Sequence, residues 1–383
     1  MTNGWPVKTL DQIATNLDSQ RVPITKADRV GGKYPYYGAS GIVDYVADYI
    51  FDGDTLLVSE DGANLLARST PIAFPASGKY WVNNHAHILK FDDMATQRFV
   101  EHFLESIPLD EYITDAAQPK LNQRALNSIP IPVPPLAEQQ RIVGILDEAF
   151  EGIATATANA EKNLQNARAL FESHLQSVFT QRGEGWVDTR LADICDRVSV
   201  GHVGPTSEFY CDPSDGIPFL RSQNVRPGKL DWDGVQYITK EFHDRLRKSQ
   251  IHFGDLLFVR VGANRGDCCA VLEAVAELNC ANIVFARPTH GNAAFLERYC
   301  QSPPGRAQLL GMTTGSAQGV INTSSVAELV VPLPKESDQE TIVNKFDDLH
   351  EETQRLATIY KRKLAALDDL KKSLLHQAFS GNL

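Results

Sequence analysis

Two short stretches carry side chains suited to reading another molecule's hydrogen-bonding edges: Ser59-Glu60-Asp61-Gly62-Ala63-Asn64 and Arg260-Val261-Gly262-Ala263-Asn264-Arg265. Each follows an apolar run of strand character and turns on a glycine, which allows close backbone approach to a groove. The groups match base edges of a duplex, with Asn suited to adenine, Arg to guanine and Glu to the cytosine amino group. A plain surface turn fits the same spacing. Asn83-Asn84-His85-Ala86-His87 sets two histidines at i, i+2, where a strand would put them on one face. No third ligand lies at metal spacing, so a structural or base-contacting role reads better than a metal pair. Lys120, Asn122 and Asn322 stand on the segments QPKLN and QGVIN, where they suit a phosphate contact or an element cap.

Nothing in the chain reads as an active site. It has no G-x-x-x-x-G-K-[ST] loop, no G-x-G-x-x-G after a strand, no H-E-x-x-H and no G-x-S-x-G elbow. The six cysteines all lie in the second half and none forms a C-x-x-C pair, so they read as reduced structural thiols, with no metal and no cofactor expected. No basic leader precedes an apolar core, and no apolar run approaches the roughly 20 residues of a membrane span. A cytoplasmic location is the expectation. The net charge of -11 argues against a protein coated in nucleic acid, yet residues 186–335 carry 15 Lys/Arg against 16 Asp/Glu. Phosphate affinity depends on local potential, so a narrow basic face remains open.

What must hold these loops is a unit that occurs twice. With an offset of 200 residues Gly62-Ala63-Asn64 falls on Gly262-Ala263-Asn264, Ala117-Gln118 on Ala317-Gln318, and Asn122 on Asn322. The same shift sets Gln139 on Gln339, Ile142-Val143 on Ile342-Val343, Asp147 on Asp347 and Phe179 on Phe379. WPVKTLDQI from Trp5 also resembles WVDTRLADI from Trp186. Each copy ends in a proline bar, IPIPVPP or VVPLP, followed at once by a helical pattern. Apolar or small residues then advance by steps of four and three through Ile142, Leu146, Ala149, Ile153, Ala156, Ala160, Ala167 and Leu170, with Asn163 the polar member. The second series runs Ile342, Phe346, Leu349, Thr353, Leu356, Tyr360, Lys363, Leu367, Leu370 and Leu374. That is a heptad seam. Ser337 and Glu340 have capping-box spacing. Two helices of matched length and phase most simply pair with each other, antiparallel, with Asn163 and Lys363 as seam register-setters.

The remaining segments, with short strands, glycine turns and a few helices, predict α+β domains with a bent sheet. The expected division is a first mixed domain over 1–135, a helix over 136–182, a second mixed domain over 183–335 and a C-terminal helix over 336–383.

The succession YPYYGASGIVDYV, GDTLLVSEDGANL, NNHAHIL, QPKLNQRALNSIPIPVPPLAEQQRIVGILDE and LKKSLLHQAFSGNL resembles the specificity subunit of Type I restriction-modification systems over essentially the whole chain. The resemblance implies two target-recognition domains, each reading half of a bipartite site in double-stranded DNA, and two helices that set the gap. It also implies no catalysis by this chain. Two methylation subunits dock on the helices and use S-adenosylmethionine, and restriction motor-nuclease subunits join for cleavage. The second copy departs from the pattern, with KESDQE where the first has PLAEQQ. Candidate DNA contacts are Tyr36, Tyr37, Ser40, Glu60, Asn64, Asn83, His85 and Lys120 in the first domain, with Arg221, Asn224, Arg260, Asn264, Arg265 and Asn282 in the second. A DNA methyltransferase with its own recognition domain, and a coiled-coil scaffold that never meets DNA, are the alternatives.

Overall fold

The computed structural model describes residues 4–114, 117–312 and 319–383; Ala317-Gln318 of the repeat lie outside them. The chain divides into two units, one of Met1–Glu161 with Lys361–Leu383, the other of Lys162–Tyr360.

In the first unit the strand Thr55–Ser59 is buried along its whole length, because both of its faces are covered. Leu56 and Val58 point to one cluster with Val100, Leu104, Leu121 and Ile131, while Leu57 points to another with Phe51, Tyr80 and Ile88, the period of two that a strand imposes. It is central in an antiparallel sheet ordered Thr15–Asn16, Ala86–Lys90, Thr55–Ser59, Ala73–Ala76. A second sheet is ordered Gly41–Val46, Gly31–Gly38, Lys79–Val82, Phe51–Asp52, its inner pair parallel. The helix Met94–Ser106, capped by the Asp93 carboxylate, covers the first sheet.

The second unit repeats the plan. Leu256–Val259 is central in the order Cys195–Val200, Ile283–Pro288, Leu256–Val259, Cys268–Ala270. The other sheet runs Gln236–Ile238, Ile217–Leu220, Leu278–Cys280, Gln250–Ile251, again with a parallel inner pair. Leu256 and Phe258 point to one cluster, Leu257 and Val259 to another. Cys268, Cys269, Cys280 and Cys300 are buried free thiols; burial pushes the less enclosed Cys195 up to about 12.

The proline bars form short ribbons. Pro130–Pro132 pairs with Val7–Thr9, and Val330–Leu333 with Val187–Arg190, which explains the likeness of the two segments after Trp5 and Trp186. A two-stranded ribbon tolerates proline on its open side. The long helices then begin at Leu136 and Glu336 and run 46 and 45 residues. Ser337 lies inside the second helix and makes no capping bond to it, a correction to the capping-box expectation. The repeated glutamine instead ties each helix start to the proline bar: buried Gln139 Nε2 donates to the Pro134 carbonyl at 2.8 Å, and Gln339 Nε2 to that of Pro334 at 3.0 Å.

In the first unit Ile142 and Leu146, near the start of the first long helix, pack with Leu375 and Ala378, near the end of the second. In the second unit Leu175 and Phe179, near the end of the first, pack with Val343 and Phe346, near the start of the second. The pairing is antiparallel. The seam departs from the strict heptad series: Asn163, Lys363, Leu170 and Leu370 are exposed, and Leu164, Leu364 and Phe171 turn inward in place of the first three. A helix of 3.6 residues per turn drifts about 20° per heptad, enough to move the seam by one position over this length. Asn163 and Lys363 therefore set no register.

Candidate nucleic-acid interface

At one end of the first unit four segments are tied together through their backbones. Asn83 N donates to the Tyr37 carbonyl at 3.0 Å, Glu60 N to His85 O at 2.9 Å, Gly62 N to Pro119 O at 3.0 Å and Leu121 N to Glu60 O at 2.8 Å. Ser59 Oγ donates to the Ala39 carbonyl, which locks the 38–41 hairpin tip to the same place. Gly62 sits at φ +109° and Gly262 at φ +92°, conformations that L side chains rarely adopt, so both repeats need glycine there. Ser40, Glu60, Asp61, Asn83, His85 and Lys120 are thereby gathered.

Their freedom differs. Glu60 is buried and salt-bridged to Arg21 at 2.6 Å and to Lys120 at 3.2 Å. Burial pushes its carboxyl up, but Arg21, His87 and Lys120 hold it below the usual range. Asn83 is buried, its Oδ1 accepting from His85 N at 2.8 Å. His85 is half-exposed, with Nδ1 2.8 Å from Asp61 Oδ2, and Ser40 is fully at the surface. Asn64 is half-buried, and its side chain bonds Ser69 and Thr70 within its own turn. Tyr37 is half-buried against Phe74 and Tyr80. Tyr36 is 1% exposed, with its hydroxyl on the Ile24 carbonyl at 3.3 Å and the Arg29 guanidinium over its ring. It lies in the core and presents no edge to a ligand.

The two histidines of the 83–87 stretch do not share a face. The strand begins only at Ala86, and His87 is buried, with Nδ1 2.5 Å from Asp18 Oδ2 and Nε2 2.7 Å from the Leu121 carbonyl. A carbonyl oxygen can only accept, so Nε2 carries a proton, and the second nitrogen faces a carboxylate. Burial pushes Asp18 up, while the His87 hydrogen bond and charge, Ile88 N and Arg21 bring it below its ordinary value. Asp18, Glu60 and His87 could by distance enclose a cation. Both ring nitrogens are committed, however, and Arg21 already supplies the positive charge, so the cluster fits a structural ion network better than a metal centre. Asp18 and Arg21 gave no signal in the sequence, because their partners are some 40 to 70 residues away.

In the second unit Arg260 and Asn282 flank the last rung of a ladder, Val259 paired with Ile283. Asn282 is exposed at φ +55°. Arg221 Nη2 donates to the Gly234 carbonyl at 3.1 Å, and Arg265 Nη1 to Gly319 O. Asn264 is exposed. Asn224 is fully buried, donating to Asp231 O at 2.9 Å and accepting from Arg221 N at 3.0 Å, so its amide shapes the loop and reaches no ligand. Asn122 and Asn322 are helix caps, accepting from Ala125 N at 2.9 Å and Ser325 N at 2.8 Å.

Comparison with known proteins now bears on this geometry. The family model for the Type I restriction modification DNA specificity domain matches residues 2–165. The EcoKI specificity subunit of Escherichia coli is 23% identical, the match covering 100% of this chain and 90% of that protein. A relative from Haemophilus influenzae, S.HindORF215P, named for a type I restriction enzyme specificity subunit, is 39% identical over 37% of this chain. That match spans only 36% of the relative's length. A solved structure concerned with complex assembly and conformational transition of the type I R-M system superimposes with a TM-score of 0.75 at 18% identity, covering 100% of this chain and 99% of that one, which shows a shared fold. Matched by the family model over residues 2–165 and by a specificity subunit along its full length, the chain is similar to the specificity subunits of Type I restriction-modification systems.

Proposed function

We propose that this chain is the non-catalytic DNA-recognition subunit of a Type I restriction-modification complex. Each unit's loop cluster reads one half of a bipartite duplex site, and the paired helices set the gap between the halves. The observation that carries this reading is one scaffold built twice with different chemistry at the reading end: buried Glu60 with half-buried Asp61 and exposed His85 in one unit, Arg260 and Asn282 in the other. A scaffold repeated for packing alone would have no need to vary there. Two methylation subunits dock along the helices, and motor-nuclease subunits join that assembly. An apolar groove of about 530 Å³ lined by Phe150, Ala154, Thr157, Leu364 and Leu367 supports a docking role for the helix pair.

The test is salt-dependent binding of the chain, assembled with its methylation subunits, to a bipartite duplex identified by mapping methylated adenines. Tight binding that is lost when either half is scrambled supports the reading. Equal binding to scrambled duplexes, or none at any salt concentration, rejects it in favour of a protein scaffold.

A further inference from the structure

Arg260 stands apart from its neighbours in the second unit's loop cluster. Arg221 and Arg265 are both tied by their terminal nitrogens to backbone carbonyls. Arg260 is held only at its root: Ile321 N donates to its carbonyl at 3.1 Å, and its Nε reaches back to the Ile321 carbonyl at 3.4 Å. Neither terminal nitrogen has a hydrogen-bond or carboxylate partner among the described residues. The residue is half-buried, while its terminal nitrogens are not among the side-chain atoms closed off from solvent without a partner, so they are open to an incoming acceptor. Beside it, across the end of the Val259–Ile283 rung, Asn282 adopts a left-handed conformation at φ +55° with its backbone pinned: its N–H donates to His202 O at 3.1 Å and its carbonyl accepts from Ser222 Oγ. Its exposed side-chain amide is unpaired among the described residues. Neighbouring strands run about 5 Å apart. A planar two-donor fork and a donor–acceptor amide thus project from fixed backbone at one strand end.

Building on the function proposed above, we propose that Arg260 reads a guanine in the half-site of the second unit and Asn282 an adenine at the neighbouring base pair. The fork matches guanine O6 and N7, and the amide matches adenine N6 and N7, in the major groove. The corresponding strand end of the first unit carries Glu60, which Arg21 and Lys120 already occupy. This contact therefore has no counterpart at the equivalent position of the first unit.

The test uses the chain assembled with its methylation subunits and a duplex pool randomised one position at a time across both half-sites, with methyl transfer read by sequencing. The wild-type complex should prefer guanine at one position by about 10-fold or more. Arg260→Ala should flatten that position alone, and Arg260→Gln should move its preference toward adenine, which glutamine can pair. Asn282→Ala should flatten the adjacent position. The first half-site should not change. Should Arg260→Ala fail to assemble, Arg260→Gln, which keeps an amide donor, carries the test. A uniform loss of methylation with every preference intact would make Arg260 a phosphate contact and overturn the proposal, as would an unchanged profile. A wild-type complex with no base preference in either half would reject the underlying function as well.

Discussion

Arg98 Nη2 donates to Asp147 Oδ1 at 2.8 Å, joining the helix that covers the first sheet to the first long helix. The offset of 200 residues reproduces the bond, Arg298 Nη2 to Asp347 Oδ1 at 2.7 Å. In the first unit Arg98 also salt-bridges Glu101, and His102 Nε2 lies 2.9 Å from the same Asp147 oxygen. Each mixed domain is thus clamped to the helix that follows it in the chain.

Both partners of the first clamp are more than a third exposed, so solvent limits its worth to about 1 kcal/mol or less. Asp147→Asn should lower the melting temperature by only a few degrees. It should blur the preferred gap between half-sites while leaving both base preferences intact, as read by methylation of duplexes with varied spacers. A gap preference as sharp as the wild type's would show that the clamp does not orient the domain.

The ends of the long helices close the opposite domains. Phe379 packs on Phe99 and Phe103 in the first unit, and Phe179 on Phe295 and Tyr299 in the second. Phe179→Ala should cost about 3–5 kcal/mol and speed hydrogen exchange mainly in residues 186–335; Phe379→Ala, at a half-buried site, should cost less and act mainly on residues 4–135. Exchange that rises instead in residues 4–135 for Phe179→Ala, or in residues 186–335 for Phe379→Ala, would contradict this assignment.

Much of this was legible because its causes are local or repeated. Heptad spacing, proline bars and the offset of 200 residues announced two α+β domains and two pairing helices. The seam was misread at Asn163 and Lys363 because the 3.6-residue turn accumulates drift that a strict heptad series ignores. Gln139 and Gln339 were visible as repeated residues, but their bond to a proline carbonyl depends on burial that spacing does not reveal. At the site, the glycine turns were readable, whereas Glu60's occupation by Arg21 and Asn224's burial arise from long-range packing.

Burial depresses His102, against the hydrogen bond its Nε2–H donates to Asp147, which raises it, so the folded chain holds the ring neutral. Arg98 then supplies most of the pull that, against burial, lowers Asp147. An unfolded chain takes up a proton near the ordinary value of 6.5 that the folded chain refuses until lower pH. This contribution to stability is therefore present above about pH 6.5 and lost as pH falls through the folded value. A second loss follows below about pH 4, as the depressed Asp18 and Glu60 are protonated. Denaturant melts of wild type and His102→Gln between pH 7.5 and 5 should show a shallower decline in the variant. Parallel curves would remove His102 from the account.

The central claim is that the helix pair sets the gap between the two half-sites. Thr157 and Leu364 line one groove between the helices, so four residues inserted after each preserve the pairing. Four helical residues add about 6 Å and a net turn of about 40°. One base pair of duplex rises about 3.4 Å and turns about 34–36°, so the preferred gap should lengthen by one to two base pairs. Mapping methylated adenines in cells carrying this variant should return both half-site sequences unchanged with that longer gap. The original gap, or altered half-site sequences, would contradict the account.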